Sequence, residues 1–333
     1  MNHGRNVVVT CGGKWVGIVL QLREAMRRLP AYRSAKILVA SSDALTPAGC
    51  FADLAILVPL IRDPEYVDRL YESCVRHDVG LVIPLIDLDL DRLAPHIDRF
   101  AEAGIVVACP PPSLVELCLD KLAFSRFAEE QGLSHPATVQ VADVHHFTFP
   151  VFRKRRRGFG SIDSGVCETL DAAKSYASAV PDLIFQEVID APELTVDAYI
   201  AKDGRAVVRV PRIRDKLVAG EVFKSHTVRM PAAEALADRT VASLAHAGLR
   251  GPLNVQMFLT AQPTLIEVNT RLGSGSVLSN VATDGRILAA ILTEALGETA
   301  IGDPDDFRSG LYLSRFYGDV IHESEDVVAI YPR

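Results

Sequence analysis

The alternation of apolar and polar positions is sharpest over residues 253–271. Residues 253–259 and 265–271 each read as a strand, because side chains two apart on a strand share a face. Thr260-Ala261-Gln262-Pro263 between them predicts a hairpin loop. Folding symmetrically about that loop sets Gln256 opposite Glu267 and Asn254 opposite Asn269. Glu267, Asn269 and Arg271 then project together, ahead of a Gly/Ser-rich turn at 273–276. Nearer the N-terminus, buried strands are predicted at 6–10, 36–40, 54–59, 80–84 and 105–108. Amphipathic helices are predicted to about residue 28 and over 64–77. This β-α-β-(loop)-β-α-β order predicts a small doubly wound domain. Cys11-Gly12-Gly13-Lys14 forms its first turn, and the spacing is not that of a dinucleotide fingerprint. Further on, helices are predicted at 120–132, 169–179, 231–248 and 285–297, and strands at 139–141, 149–154, 183–189, 191–200, 205–214 and 222–230. Lys202-Asp203-Gly204 is read as a turn. The tail from 310 is read as strand and irregular structure.

At 333 residues with 49% hydrophobic positions, the chain is long enough for two or three domains with a sizeable core. The net charge of -7 argues against a general nucleic-acid binder. No run is long and apolar enough to span a membrane, and the N-terminus lacks signal-peptide features, so a cytoplasmic location is expected. The six cysteines show no zinc-finger or redox spacing. A homodimer is the base-rate expectation.

Three stretches carry candidate chemistry. Glu267, Asn269 and Arg271 suit a magnesium-bound phosphate chain, with oxygens for the hard cation and a guanidinium for a phosphoryl group. They suit equally the polar face of an ordinary hairpin. Lys154 ends a strand and runs through Arg155-Arg156-Arg157 into Gly158-Phe159-Gly160-Ser161. Such a glycine-serine loop brings backbone N–H groups onto phosphate oxygens, and the basic run favours the same anion. Asp87 and Asp89 follow the strand at 80–84, where open α/β sheets bind ligands. They either face a substrate amine or complement a helix N-terminus.

Taken together, several motifs are similar in order and spacing to the ATP-grasp superfamily. They are Asp120-Lys121, Pro150-Val151-Phe152-Arg153-Lys154 with its loop, Gln186-Glu187-Val188-Ile189, Glu193-Leu194-Thr195-Val196-Asp197, Asn254-Val255-Gln256 and Glu267-Val268-Asn269-Thr270-Arg271. The branch resembled most is that of the carbamoyl-phosphate synthase large subunit, and small carboxylate–amine ligases belong to the same superfamily. The resemblance extends to about residue 297. It implies an α/β N-terminal open parallel-sheet domain (pre-ATP-grasp) at 1–112, followed by an α+β ATP-grasp fold. Within that fold, 113–189 would form a small lid subdomain with a helical entry, and 190–333 a C-terminal subdomain with the metal site.

The resemblance also implies roles. Lys121 and Lys154 would contact ATP phosphates under the loop of Gly158, Gly160 and Ser161. Gln186, Glu187 and Ile189 would line the adenine pocket, and Glu193 would bind the ribose. Gln256, Glu267 and Asn269 would hold Mg2+, with Mn2+ as an alternative ion, and Arg271 the transferred phosphoryl group. Arg212, Arg214 and Lys216 would meet the acid substrate or its acyl phosphate. Specificity would sit around Asp87, Asp89 and Glu221. The implied reaction is ATP-dependent ligation of a small amino-acid-like carboxylate to an amine; the alternatives are a phosphotransferase or an inactive nucleotide-binding regulator. His226, near the basic strand, would either assist amine deprotonation or serve structure. Two departures stand out: the arginine run, where relatives often place proline and small residues, and Gln256, where many carry an acid.

Overall fold

The computed structural model describes residues 4–158, 162–218, 220–323 and 326–331. Three sheets organise them. The first is parallel: β1 (Asn6–Thr10), β2 (Ile37–Ser41), β3 (Leu54–Leu57), β4 (Val79–Pro84) and β5 (Val106–Val107), in the order β3-β2-β1-β4-β5. Its inner strands are almost wholly apolar because helices cover both faces. The order reverses between β1 and β4, so the turns after these two strands flank the crevice where such sheets bind ligands.

A small antiparallel sheet contains β6 (Thr138–Gln140), β7 (Val151–Arg155), β8 (Gly165–Cys167) and β9 (Leu183–Glu187), in the order β6-β9-β7-β8. The large antiparallel sheet contains β10 (Glu193–Ile200), β11 (Ala206–Val218), β12 (Glu221–Thr227), β13 (Gly251–Phe258), β14 (Thr264–Asn269) and β15 (Tyr312–Ser314), in the order β14-β13-β10-β11-β12-β15. Its register pairs Gln256 with Glu267 and Asn254 with Asn269, as the alternation predicts. A separate hairpin, β16 (Asp319–Glu323) and β17 (Asp326–Tyr331), closes the chain.

The helix Val16–Arg28 packs between the first and large sheets. Ile18, Val19 and Leu22 share one core with Tyr199, Val208, Val210 and Ile287, so these two sheets form one packed body. The helices Pro112–Leu119 and Lys121–Glu130 place Leu114, Cys118, Phe124 and Ala128 in the core of the large sheet, beside Leu194, Val196 and Val255. The helical entry expected with the small sheet therefore packs on the large one. Several helices go beyond the sequence expectation, among them Pro47–Cys50 and Ile97–Glu102 in the first domain. Pro112–Leu119 begins inside the triple proline, since proline is tolerated in the first helical turn. Ser276–Ala282 follows the Gly/Ser turn directly. Among the described residues no helix is long and apolar enough to cross a membrane, and all six cysteines are free thiols.

Candidate active site

The large sheet builds the site by register. Glu267, Gln256, Thr195 and Arg212 lie in one row across β14, β13, β10 and β11, with Asn269, Asn254 and Asp197 in the next row. Asn269 Nδ2 donates to Asn254 Oδ1 at 3.1 Å and to Glu267 Oε1 at 3.3 Å. These bonds turn the amide oxygen of Asn269 away from its neighbours. Lys121 Nζ lies 4.0 Å from Glu267 Oε2 and donates to Gly158 O at 2.8 Å. Burial pushes the Glu267 carboxyl up, but Lys121, Lys154, the Asn269 amide and Arg271 together hold it below its ordinary value. Glu267 is therefore an anion at neutral pH. Burial brings the Lys154 ammonium down to about 8, aided by Lys121 and opposed by Glu267 and Glu193.

Beside this pole a cavity of about 240 Å³ opens between the large sheet and the carboxyl ends of β1 and β4. Its walls include Trp15, Asp87, Arg212, Arg214, Glu221 and Arg271. Arg271 Nε and Nη2 donate to the two oxygens of Asp87 at 2.7 and 2.5 Å. Arg212 is buried, its Nε 2.7 Å from Asp197 Oδ2, and Ser279 Oγ donates to the same carboxylate at 2.5 Å. Arg214 Nη1 donates to Glu193 Oε2 and, at 2.9 Å, to Gln256 Oε1. Glu221 pairs with Lys14 at 2.9 Å.

Residues 7–108 match the PylC-like N-terminal domain, and residues 118–275 match the ATP-grasp domain. Residues 118–275 are thus an ATP-grasp domain, preceded by a PylC-like N-terminal domain. No curated protein matches the chain. Its fold is that of several solved ATP-grasp structures. One is the biotin carboxylase domain of Hydrogenobacter thermophilus 2-oxoglutarate carboxylase in complex with MgADP, ADP and bicarbonate (TM-score 0.75, 15% identity, 92% of this chain and 73% of that one). Others are L-amino acid ligase from Bacillus licheniformis (0.68, 18%, 89% and 75%) and N5-carboxyaminoimidazole ribonucleotide synthetase from Thermotoga maritima (0.65, 19%, 90% and 77%).

Several expected site residues of this ATP-grasp chain sit otherwise than the sequence suggests. Asp89 does not face the cavity: it is fully buried and accepts from Thr10 Oγ1 and, at 2.7 Å, from Tyr66 Oη. Burial pushes its carboxyl up to about 6. The helix Asp87–Leu93 explains the split, because residues two apart on a helix point roughly 200° apart around the axis. The basic run is not free for an anion. Arg155 pairs with Asp163, Arg156 with Asp120 and Arg157 with Glu116. Gln256 has its amide oxygen on Arg214 rather than open to a metal. Lys216 is exposed, its ammonium 5.5 Å from the Phe223 ring centre, and is not part of the cavity wall. Gln186 is buried and donates to Thr138 Oγ1 at 2.7 Å, while Glu187 accepts from Ala137 N at 3.3 Å. Ile189 is half-buried just beyond β9, and Gly158 is exposed. Gly160 and Ser161 lie outside the described residues. His226 bonds Asp215 at 2.8 Å and stacks on Tyr312, away from the cavity wall.

The donor set fits magnesium. One ionised carboxylate and one amide oxygen leave most of an octahedral shell to phosphates and water, which is how Mg2+ is commonly held. Sequence reasoning missed Arg315, which follows β15 and donates through Nη2 to Ser274 O on the cavity wall. The reading of the tail from 310 as strand and irregular structure does not single it out.

Proposed function

We propose that the chain is an ATP-dependent carboxylate–amine ligase, which forms an amide or peptide bond from small amino-acid-like substrates and releases ADP and phosphate. One observation supports this reading above the others. An ionised Glu267 with Asn269, faced by Lys121, adjoins a cavity carrying charges of both signs at the ligand-binding end of a parallel sheet.

In this reading Lys121 and Lys154 bind the phosphate chain, with the small sheet above it and Glu193 at the ribose. Glu267 and Asn269 hold Mg2+, which when bound neutralises charge developing on the phosphoryl oxygens. Gln256 joins them once Arg214 turns to substrate. A carboxylate oxygen attacks the γ-phosphorus and ADP leaves. Arg271 and Arg214 stabilise the charge on the transferred group, an effect typically worth several kcal/mol, of order ~3 per donor. The amine then attacks the acyl carbon, phosphate leaves with the bonding pair, and the amine proton passes to solvent. Closure of the small sheet over the site excludes water from the acyl phosphate.

The test is ATP turnover with magnesium across amino acids offered singly and in pairs, following ADP and phosphate. ADP and phosphate that appear only with a particular acid–amine pair are expected. ADP without phosphate would indicate a phosphotransferase instead.

A further inference from the structure

The C-terminal end of the helix Val16–Arg28 walls a second cavity, of about 210 Å³. Arg23, Arg27 and Arg33 line it beside the buried side chains of Met26 and Ile37, and Asp53 is its one acid. That acid is committed: Oδ1 accepts from Arg23 Nη1 at 2.8 Å and Oδ2 from Ile37 N at 2.7 Å. Arg23 Nη2 donates to Phe51 O at 2.9 Å. The guanidinium groups of Arg27 and Arg33 make no hydrogen bond or ion pair among the described residues. Elsewhere the chain matches clustered arginines with acids, as in the run Arg155 to Arg157. Here three guanidinium groups stand against one carboxylate, in a chain whose net charge is -7. A concavity lined by one sign of charge over apolar walls focuses the field on whatever enters it. Arg27, in the last turn of its helix, also complements the helix dipole. Arg33 lies beyond that helix, so the dipole does not account for it.

We propose that this cavity is a binding site for a compact oxyanion with two or more negative charges, either an inorganic phosphate or a small polycarboxylate, separate from the active site. Both sources share oxygens that guanidinium forks bind in pairs. Arg23 and Arg27, four apart, present their side chains on one helix face, and Arg33 comes from the segment that follows. The volume is below the roughly 300 Å³ at which pockets for drug-sized molecules begin, so a small ion suits it. The cavity reaches Ile37, the first residue of β2, whereas the active-site cavity lies at the carboxyl ends of β1 and β4. Trp15, just ahead of the helix, lines the active-site cavity, and Arg27 lines this one, roughly 18 Å further along at ~1.5 Å per residue. The inference does not depend on the ligase reading.

The experiment measures thermal shifts of the full chain at constant ionic strength. The probes are inorganic phosphate, pyrophosphate, succinate and citrate, each compared with sodium chloride. At least one of them should raise the melting temperature more than chloride does. A response to the phosphates alone identifies a phosphoryl group as the ligand, and a response to the carboxylates alone identifies a polycarboxylate. In Arg27→Gln and in Arg33→Gln the apparent affinity should weaken about 10- to 100-fold, as expected for loss of a charge-assisted hydrogen bond, and the double variant should lose the response. Arg33→Lys should recover part of it. The melting temperature of each variant without ligand shows that it is folded. The response to MgADP should be the same in wild type and variants, which assigns the loss to this cavity. No response beyond that of chloride, an undiminished response in the folded double variant, or a parallel loss of the MgADP response would each overturn the proposal.

Discussion

Arg271 and Asp87 stand 184 residues apart in the chain, yet their side chains meet in a two-pronged ion pair. The pair joins the turn after β4 to the end of β14, and so ties the first sheet to the large one. Only 16% and 12% of the two side chains is exposed, so water screens the pair weakly. In a denaturation double-mutant cycle, Asp87→Ala and Arg271→Ala should each destabilise by about 2–4 kcal/mol, because each leaves a charge uncompensated. The coupling should be about 1–3 kcal/mol. Additive effects would show that the pair contributes nothing to joining the two sheets.

Glu267 tests the metal assignment without any knowledge of the substrates. In the wild type, magnesium should tighten ADP binding. In Glu267→Gln that gain should disappear, because the neutral amide gives up the one carboxylate beside Asn269. A variant that gains as much from magnesium as the wild type would place the ion elsewhere.

The β13–β14 register was legible because period-two alternation on both sides of a proline-containing loop leaves few ways to pair the strands. The doubly wound domain was legible for a similar reason: its strands are short apolar runs bounded by turn residues. Asp89 was not, because Asp87-Leu88-Asp89-Leu90 alternates like a strand but folds as a helix. Nor was the fate of Arg155, Arg156 and Arg157. Asp120 and Glu116 come from the helices at 112–130 and Asp163 from the loop that follows, and charge along the chain does not reveal which acids fold against it. Five of the seven residues of the helix Ser276–Ala282 are Ser, Asn or Val, which have modest helix propensity, and burial of Ser276, Leu278 and Ser279 decides its conformation.

Asp120 should matter more than its place beside Lys121 suggests. Its carboxylate caps the helix Lys121–Glu130 through the amides of Leu122 and Ala123, both at 3.0 Å, and accepts from Arg156 Nε at 2.8 and 2.9 Å. Burial pushes the carboxyl up, but Arg156 and the two amides hold it below its ordinary value. The unfolded chain therefore binds the proton more readily, and this residue's stabilisation is present above about pH 4 and lost as pH falls through the folded value. Asp120→Ala should cost about 1–2 kcal/mol for the cap alone at pH 7, and less at pH 3. An equal cost at both pH values in denaturant melts would contradict the ionised cap.

Gly275 is required by proximity and not by backbone conformation, its φ being -90°. Gly275→Ala forces the Arg212 guanidinium off its partner Asp197, and overpacking of this kind typically costs about 1–3 kcal/mol. Calorimetric melting should show that loss. A variant as stable as the wild type would mean that the turn yields, and that Arg212 is not fixed by it.

Lys154 should give the site a pH dependence that runs in opposite directions for binding and for stability. Its ammonium, brought down to about 8 by burial, must be charged to pair with phosphate. Between pH 7 and pH 9 the affinity for ADP should therefore fall roughly tenfold, with proton uptake on binding. Measuring in EDTA keeps metal charge out of the comparison. The unfolded lysine titrates near its ordinary value of about 10.4, so between the two values the unfolded chain carries more protons and the residue's contribution to stability rises with pH. Lys154→Gln should bind ADP more weakly at pH 7 and lose the decline. A decline of the same size in that variant would assign the titration to another group, and Lys121, which also acts on Glu267, would be the next residue to replace.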